Sequence, residues 1–206
     1  MKLPSVPIRI VAAAAVLALG LVGMVARENM ARDAGQEVRL ALAGYDPRSL
    51  LQGHYVQFNL TSTYPAGTKC PPGADGITTD PKGWVALRPE GDHHGPAGAA
   101  RTRAEALRLG GIVARGTLTC LGVSTAVSIA GRPDEVTPEV QSVMLDLGVD
   151  RIHLDQTAAE QIEGELRRVR PGGEPPGYAV LSIGRDGRAR VKGLIVGKRR
   201  VDLDWF

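Results

Sequence analysis

Aromatic residues are scarce in this chain of 206 residues, at 4% of the total, and none lies between Trp84 and Tyr178. A core with so few aromatics must be built from Val, Leu, Ile and Ala, and the 43% apolar content is enough for one domain. Charged residues make up 23% of the chain, which is ordinary for a folded protein and excludes wholesale disorder.

A large excess of one charge is also lacking, since the formal net charge is only +3. Lys2 and Arg9 precede the first acidic residue, Glu28, and removing these two from the 25 basic residues nearly balances the 22 acidic ones. A near-neutral remainder lacks the concentrated positive charge typical of nucleic-acid-binding domains. We therefore expect no nucleic-acid partner.

The one long apolar run extends from Ile10 to Ala26, contains no proline and is rich in Ala and Leu. It reaches the lower limit for a membrane-spanning helix, about 17 residues, and extends back through Ile8 if Arg9 reaches the headgroups. A buried core helix is less consistent with the run, because it has no polar face. We predict an N-terminal anchor, with its flanks, over residues 1–33, contacting membrane lipid through residues 8–26.

The positive flank before the run predicts that the N-terminus stays in the cytoplasm. The expected location is the inner (cytoplasmic) membrane, crossed once, with a domain of residues 38–206 outside the cytoplasm. Cleavage near Ala26 is an alternative that would release a secreted protein. It would place Met24 at the −3 position, where signal peptidase prefers a small residue.

The remainder favours a mainly β (α+β) fold, with one antiparallel β-rich domain and a single packed helix. Short alternating segments predict the strands, and Asp186-Gly187 between two of them predicts a hairpin. Thr157 and Glu160 form a capping-box pattern, which predicts the helix over 157–169. The segment 104–109 is ambiguous between strand and helix, and the Gly- and Pro-rich segment 89–98 is predicted to be a loop.

Cysteine is nearly absent, with Cys70 and Cys120 as the only two. In an oxidising compartment they can pair, whereas the alternative is two free thiols within the fold. Their spacing in the sequence does not distinguish a disulfide from two free thiols, because it does not give the distance between the two Cα atoms. A zinc site is not predicted, since no CxxC pair accompanies them.

Residue patterns for chemistry are equally sparse. Asp92-His93-His94 has metal-binding residue types, but neighbouring side chains on an extended chain point in opposite directions, so we predict a solvated segment and no metal. No serine or lysine lies in a recognisable nucleophile–base pattern. We assign no catalytic residue and no cofactor. The basic cluster 198–200, near two terminal aromatics, is interpreted as a solvated strand end in preference to a lipid contact.

One short motif stands out, in which Gly53, His54 and Tyr55 are followed by Phe58 and Leu60. It resembles the signature of the GDYXXLXY family of bacterial membrane-anchored proteins, with His54 in place of Asp, Phe58 in place of Leu and Leu60 in place of the final Tyr. The resemblance extends over roughly residues 38–196. It implies a membrane partner, with a multi-spanning protein as a candidate, and it does not imply an enzymatic activity.

The motif also has a structural interpretation, because glycine at position 53 can turn the chain into a strand and Tyr55 places a ring with a polar tip at its edge. A binding role for Gly53, His54, Tyr55 and Phe58 is the alternative. We expect a single-pass, membrane-anchored envelope protein that acts as an accessory or binding module. An envelope hydrolase is the second hypothesis.

Overall fold

The computed structural model of the chain describes residues 6–43, 55–65, 67–74, 83–124, 140–153, 161–162, 166 and 175–203. Within these ranges lie, in chain order, α1 (Val6–Asp33), β1 (Gln36–Ala43), β2 (Tyr55–Gln57), β3 (Asn59–Pro65), β4 (Trp84–Glu90), β5 (His93–Ala100), α2 (Arg103–Leu109), β6 (Ile112–Arg115), β7 (Thr117–Ser124), β8 (Val140–Asp146), β9 (Arg151–His153), β10 (Gly177–Ile183), β11 (Ala189–Val196) and β12 (Arg199–Asp202).

Helix α1 contains the apolar run and continues without a break through the polar residues that follow it. Its 28 residues extend about 42 Å at 1.5 Å per residue. None of its residues is buried, and it is long and apolar enough to cross a membrane. The prediction of a helix over this run is confirmed.

Strand β1 follows α1 directly and lies at the centre of the main sheet. Along one edge it pairs with β10 in antiparallel register, from Gln36 opposite Ile183 to Leu42 opposite Gly177. Strands β11 and β12 extend the sheet beyond β10 by two further antiparallel pairings. The predicted hairpin between β10 and β11 is confirmed, with Gly187 of its turn at φ +78°.

The other edge of β1 is shared between two strands. Leu42 pairs with β3, whereas Leu40 has a parallel pairing with His94 of β5. One arm of the sheet then runs from β3 to β8 and β7, and the other from β5 to β4 and β6. Strands β6 and β7 are separated only by Gly116, so the two arms are joined covalently and the sheet closes on itself. A Cβ at Gly116 would lie 2.2 Å from the Asp146 carbonyl oxygen, and only glycine permits this close approach.

The core is aliphatic, as the composition predicts. Val38, Leu40 and Leu42 alternate along β1 and are buried, and Leu181 and Leu194 bury against them from β10 and β11. Burying each such side chain stabilises the fold by about 1.5–3 kcal/mol. A smaller cluster of Ala86, Ala97, Ala106 and Val113 lies between α2 and the strands beneath it.

The loop predicted over 89–98 is wrong. Strand β4 continues to Glu90, β5 begins at His93, and only a two-residue turn separates them. The small residues that suggested a loop serve packing, because α2 contacts β5 through Ala106 and Ala97. Tertiary packing therefore overrides the low strand propensity of this segment.

The two helices that the structure describes in full are α1 and α2, and α2 resolves the ambiguity over 104–109. Thr102 caps it in a capping box with Glu105, each residue's side chain bonding the other's backbone N–H. The helix predicted over 157–169 lies largely outside the described residues. Of its length, Gln161, Ile162 and Leu166 have helical backbone, and Ile162 is buried in the core.

Candidate functional site at the motif strand

Of the motif residues, Gly53 and His54 lie outside the described part of the chain. Tyr55 begins β2, whose backbone pairs with β9 so that Tyr55 lies opposite His153. Phe58 lies between β2 and β3 with its side chain 3% exposed, and its N–H donates to the Asp150 carbonyl oxygen at 2.8 Å. Phe58 is therefore a core residue that fixes the motif strand to the segment before β9.

A surface cavity of about 440 Å³ lies along this strand. Phe58 and Leu60 bury their side chains in the core below it, while Gln57 is half-buried and Asn59 is exposed. The walls of the cavity are Gln57, Phe58, Asn59, Leu60, Met144, Leu145, Asp146, Gly148, Val149 and Asp150. We call it the motif groove; it presents amide and carboxylate groups beside the exposed Met144.

A second cavity, of about 370 Å³, adjoins the motif groove, since Asp146 and Gly148 line both. Its far wall carries Arg115 and Arg188. The two cavities together extend from the motif strand to the turn between β10 and β11. Charged groups line the two cavities, with carboxylates at the end near the motif strand and guanidinium groups at the end near the β10–β11 turn.

The carboxylates of the groove are held by local partners. Asp150 accepts hydrogen bonds from Arg151 at 2.9 and 3.0 Å, and these bonds lower the pKa of Asp150 although partial burial opposes them. Asp146 accepts a hydrogen bond from the N–H of Gly148 at 2.9 Å, which fixes the turn between β8 and β9. The Asp150 carboxylate therefore remains a charged acceptor at neutral pH.

The two cysteines are joined in a disulfide that links the segment before β4 to β7, with Cα atoms 6.0 Å apart. The Gln141 side-chain amide donates to both sulfur atoms, Cys70 Sγ and Cys120 Sγ, at 2.7 Å each. Beside them, burial raises the pKa of the Tyr64 hydroxyl. Tyr64 and Cys70 line a cavity of about 190 Å³, separate from the motif groove.

The histidine pair lies on β5 and its rings have different partners. His93 Nδ1 is 3.2 Å from Asp92 Oδ1, and this contact lowers the pKa of the Asp92 carboxyl. His94 Nδ1 accepts a hydrogen bond from the Arg39 N–H at 3.3 Å, and burial lowers the pKa of His94. Among the residues that the structure describes, no three His, Cys, Asp or Glu side chains cluster in a way that would hold a metal ion.

The basic cluster 198–200 lies at the turn between β11 and β12, at the opposite end of β11 from the β10–β11 turn. Arg200 bonds Glu37 at 3.1 Å and Asp202 at 2.8 Å, and Lys192 adds a 3.3 Å contact to Glu37. The hydrogen bond from Arg200 is the main reason why the pKa of Glu37 is lowered. The terminal aromatics near this cluster lie outside the described residues.

Sequence patterns missed the contact between α1 and the domain. Arg190, only 9% exposed, donates to Glu28 Oε1 at 2.6 Å and to Asp186 Oδ2 at 3.1 Å. These bonds raise the pKa of Arg190. Ser182 Oγ donates to the Arg32 carbonyl oxygen close by. No local signal reveals the Glu28–Arg190 pair, because the two residues are separated by 162 positions in the chain.

Comparison with curated proteins and with solved structures gives no significant match. A family model described as GDYXXLXY protein matches residues 17–194, which include most of the apolar helix and nearly all of the described sheet. The match covers the motif strand, both cavities and the contact between α1 and the hairpin. The chain belongs to the GDYXXLXY protein family.

Proposed function

We propose that the chain is a single-pass membrane protein of the cell envelope, whose domain outside the cytoplasm is an accessory module for a multi-spanning membrane protein. The observation that supports this most directly is the state of α1. It is apolar and has no buried residue, so its whole apolar surface is available to lipid and to neighbouring membrane helices.

The connection between α1 and the domain adds to this. Arg190 and Ser182 bond the last turns of the helix, and only two residues separate the end of α1 from the start of β1. A domain held this closely presents a fixed face to a partner in the same membrane. A long flexible linker would allow no such fixed orientation.

Within the domain, the motif groove is the surface we assign to the partner. It combines an exposed apolar side chain, Met144 at 39%, with unburied amide and carboxylate groups. Loop-like surfaces that a rigid sheet positions are common binding sites. The groove also lies on the strand that carries the family motif.

Site-specific photocrosslinking in native membranes tests the proposal. A photoreactive amino acid replaces Met144 in the full chain, and a matched chain carries it at Leu107, which is similarly exposed on α2 at 47%. We expect the Met144 position to capture one multi-spanning protein in stoichiometric amount. Capture of nothing above background by correctly located protein, or equal capture from both positions, would contradict the proposal.

The alternative of a secreted protein is tested on the same membranes. N-terminal sequencing of the mature chain distinguishes an anchored from a secreted protein, since the anchored protein retains the residues up to Ala26. A mature chain that begins shortly after Ala26 would overturn the anchor.

A further inference from the structure

The turn between β10 and β11, residues 184–188, lies beside the polar end of α1. A single guanidinium, that of Arg190, bonds both Glu28 of the helix and Asp186 of the turn. Ser182, which lies opposite Arg190 in the hairpin and so further from the turn than Asp186, bonds the carbonyl oxygen of Arg32, one helical turn after Glu28. The hairpin therefore points back along α1, towards its apolar segment.

The position of this turn relative to a bilayer follows from the helix geometry. Glu28 lies two residues beyond Ala26, the last residue of the apolar run, and therefore about 3 Å further along the axis. The headgroup layer on each side of a bilayer is about 5–8 Å thick. If α1 spans the membrane as the proposed function requires, the turn lies at the depth of the headgroups.

The side chains around this turn are predominantly basic. Arg115, Arg185 and Arg188 are all exposed, and Arg115 and Arg188 line one wall of the 370 Å³ cavity. Of the acidic residues described there, Asp186 and Glu28 both bond Arg190, and Asp146 accepts the Gly148 N–H. With Arg190 included, four guanidinium groups lie against three carboxylates, so the exposed arginines leave this surface with a positive excess of one charge.

Arg115 is also held in place. Its side-chain Nε donates to the Asp186 carbonyl oxygen at 2.9 Å, and its backbone N–H donates to the Gly187 carbonyl oxygen at 2.7 Å. Its guanidinium lies 5.1 Å from the ring centre of Trp84. The guanidinium of Arg103 lies 5.9 Å from the same ring. Tryptophan is enriched where membrane proteins meet the headgroup layer, because one part of its ring is apolar and the other can donate a hydrogen bond.

We propose that this surface, defined by Arg115, Arg185 and Arg188 and named here the arginine face, binds the headgroup phosphates of anionic phospholipids in the leaflet next to the domain. Guanidinium groups bind phosphate through paired N–H donors, and exposed arginines at headgroup depth meet phosphate at high local concentration. The inference rests on the proposed function only in requiring that α1 is a membrane anchor, and it requires no protein partner.

Lipid photocrosslinking on the reconstituted full chain tests the arginine face. Neutral vesicles carry a small fraction of either an anionic or a zwitterionic phospholipid with a photoreactive headgroup, and intact mass counts the lipid adducts per chain. The variant R185Q/R188Q removes two charges from the face. The matched variant K198Q/R199Q removes two charges from the turn at the opposite end of β11.

We expect the wild-type chain to favour the anionic lipid and R185Q/R188Q to lose this preference, by about fivefold for each arginine at low salt. The K198Q/R199Q variant should retain the preference. Equal labelling by both lipids in the wild type, or equal losses in the two variants, would overturn the proposal. Loss of labelling on addition of inorganic phosphate at constant ionic strength would assign the face to soluble phosphate and would also overturn it.

The anchor is tested separately in the same experiment. Retention of the wild-type chain in purely neutral vesicles after an alkaline wash measures insertion of α1 alone. Retention without anionic preference contradicts the arginine face and leaves the anchor intact. Release from the vesicles contradicts the anchor, and with it both proposals.

Discussion

Arg190 Nε lies 2.6 Å from Glu28 Oε1, and this contact joins the polar end of α1 to β11, the second strand of the β10–β11 hairpin. The Arg190 side chain is only 9% exposed, whereas that of Glu28 is 60% exposed. The guanidinium is thus the buried member of the pair. Its position depends on two carboxylates, Glu28 and Asp186, and both remain hydrated if it is removed.

The first prediction concerns the strength of this contact. Arg190→Ala should lower the free energy of unfolding of the full chain in detergent by about 1–3 kcal/mol, because charge-assisted hydrogen bonds and aliphatic packing are lost together. Arg188 is exposed in the turn between β10 and β11. Arg188→Gln should change the free energy of unfolding by less than about 0.5 kcal/mol. Urea titration followed by circular dichroism measures both, and equal stabilities would contradict the role of Arg190.

A second prediction concerns acid stability. The pKa values of Glu37 and Asp186 lie below their ordinary values of 4.5 and 3.8, mainly because Arg200 and Arg190 respectively donate hydrogen bonds to them. Their contribution is therefore fully present above the ordinary values and is lost as the pH falls through the lowered ones. We expect the free energy of unfolding to decrease steadily below about pH 4.5.

The variant Glu37→Gln separates the two carboxylates in that experiment. It removes the titrating group that bonds Arg200 and Lys192, so its unfolding free energy should depend less steeply on pH in the same range. Urea midpoints measured between pH 3 and pH 6 give the slope. An identical slope in the variant and the wild type would exclude Glu37 as a source of acid sensitivity.

The third prediction concerns the disulfide, which closes a loop between residues separated by 50 positions. Loop closure of this length limits the unfolded chain and stabilises the fold by about 4 kcal/mol in the chain-entropy account. Reductant should therefore lower the stability of the wild type markedly and leave C70A/C120A unchanged. Two reactive thiols in the native, unreduced protein would contradict the pairing.

A fourth prediction compares two glycines with similar backbone conformations. Gly187 has φ +78° and Gly91 has φ +68°, so alanine at either position costs about 1–2 kcal/mol of backbone strain. A Cβ at Gly187 would also lie 2.4 Å from the Trp84 ring, whereas at Gly91 it meets open space. Gly187→Ala should be the more destabilising by more than about 1 kcal/mol in thermal unfolding. Equal losses would mean that the Trp84 contact is not close.

Elements with a local signature could be predicted from the sequence. The β10–β11 hairpin follows from Asp186-Gly187 between alternating strands, and the burial of Phe58 and Leu60 follows from their alternation with Gln57 and Asn59. Strand β5 could not be predicted in this way, because its glycines and alanines match a loop pattern. Only the helix packed against them shows why small side chains are needed there.

The candidate site, too, could be predicted from the sequence only in part. The motif strand was recognisable from its residues, but the groove depends on Asp146 and Gly148, which the fold brings to it from the end of β8 and the turn that follows. The arginine face is assembled from β6 and the β10–β11 turn, and no spacing in the sequence relates Arg115 to Arg188. Long-range pairing in a closed sheet therefore determines the parts of the site that local patterns miss.

The pairing of β1 with β10 imposes an order on biosynthesis. The strand that emerges first after the helix finds its partner along residues 36–42 only when residues 177–183 have been made. Until then Val38, Leu40 and Leu42 have no neighbour on that edge, and the chain must be kept from aggregating while it is tethered to α1. Any chain that stops before residue 177 lacks the strand that completes the sheet. Such a truncated chain leaves this edge of β1 unpaired, and we expect it to be more accessible to proteolysis than the full chain.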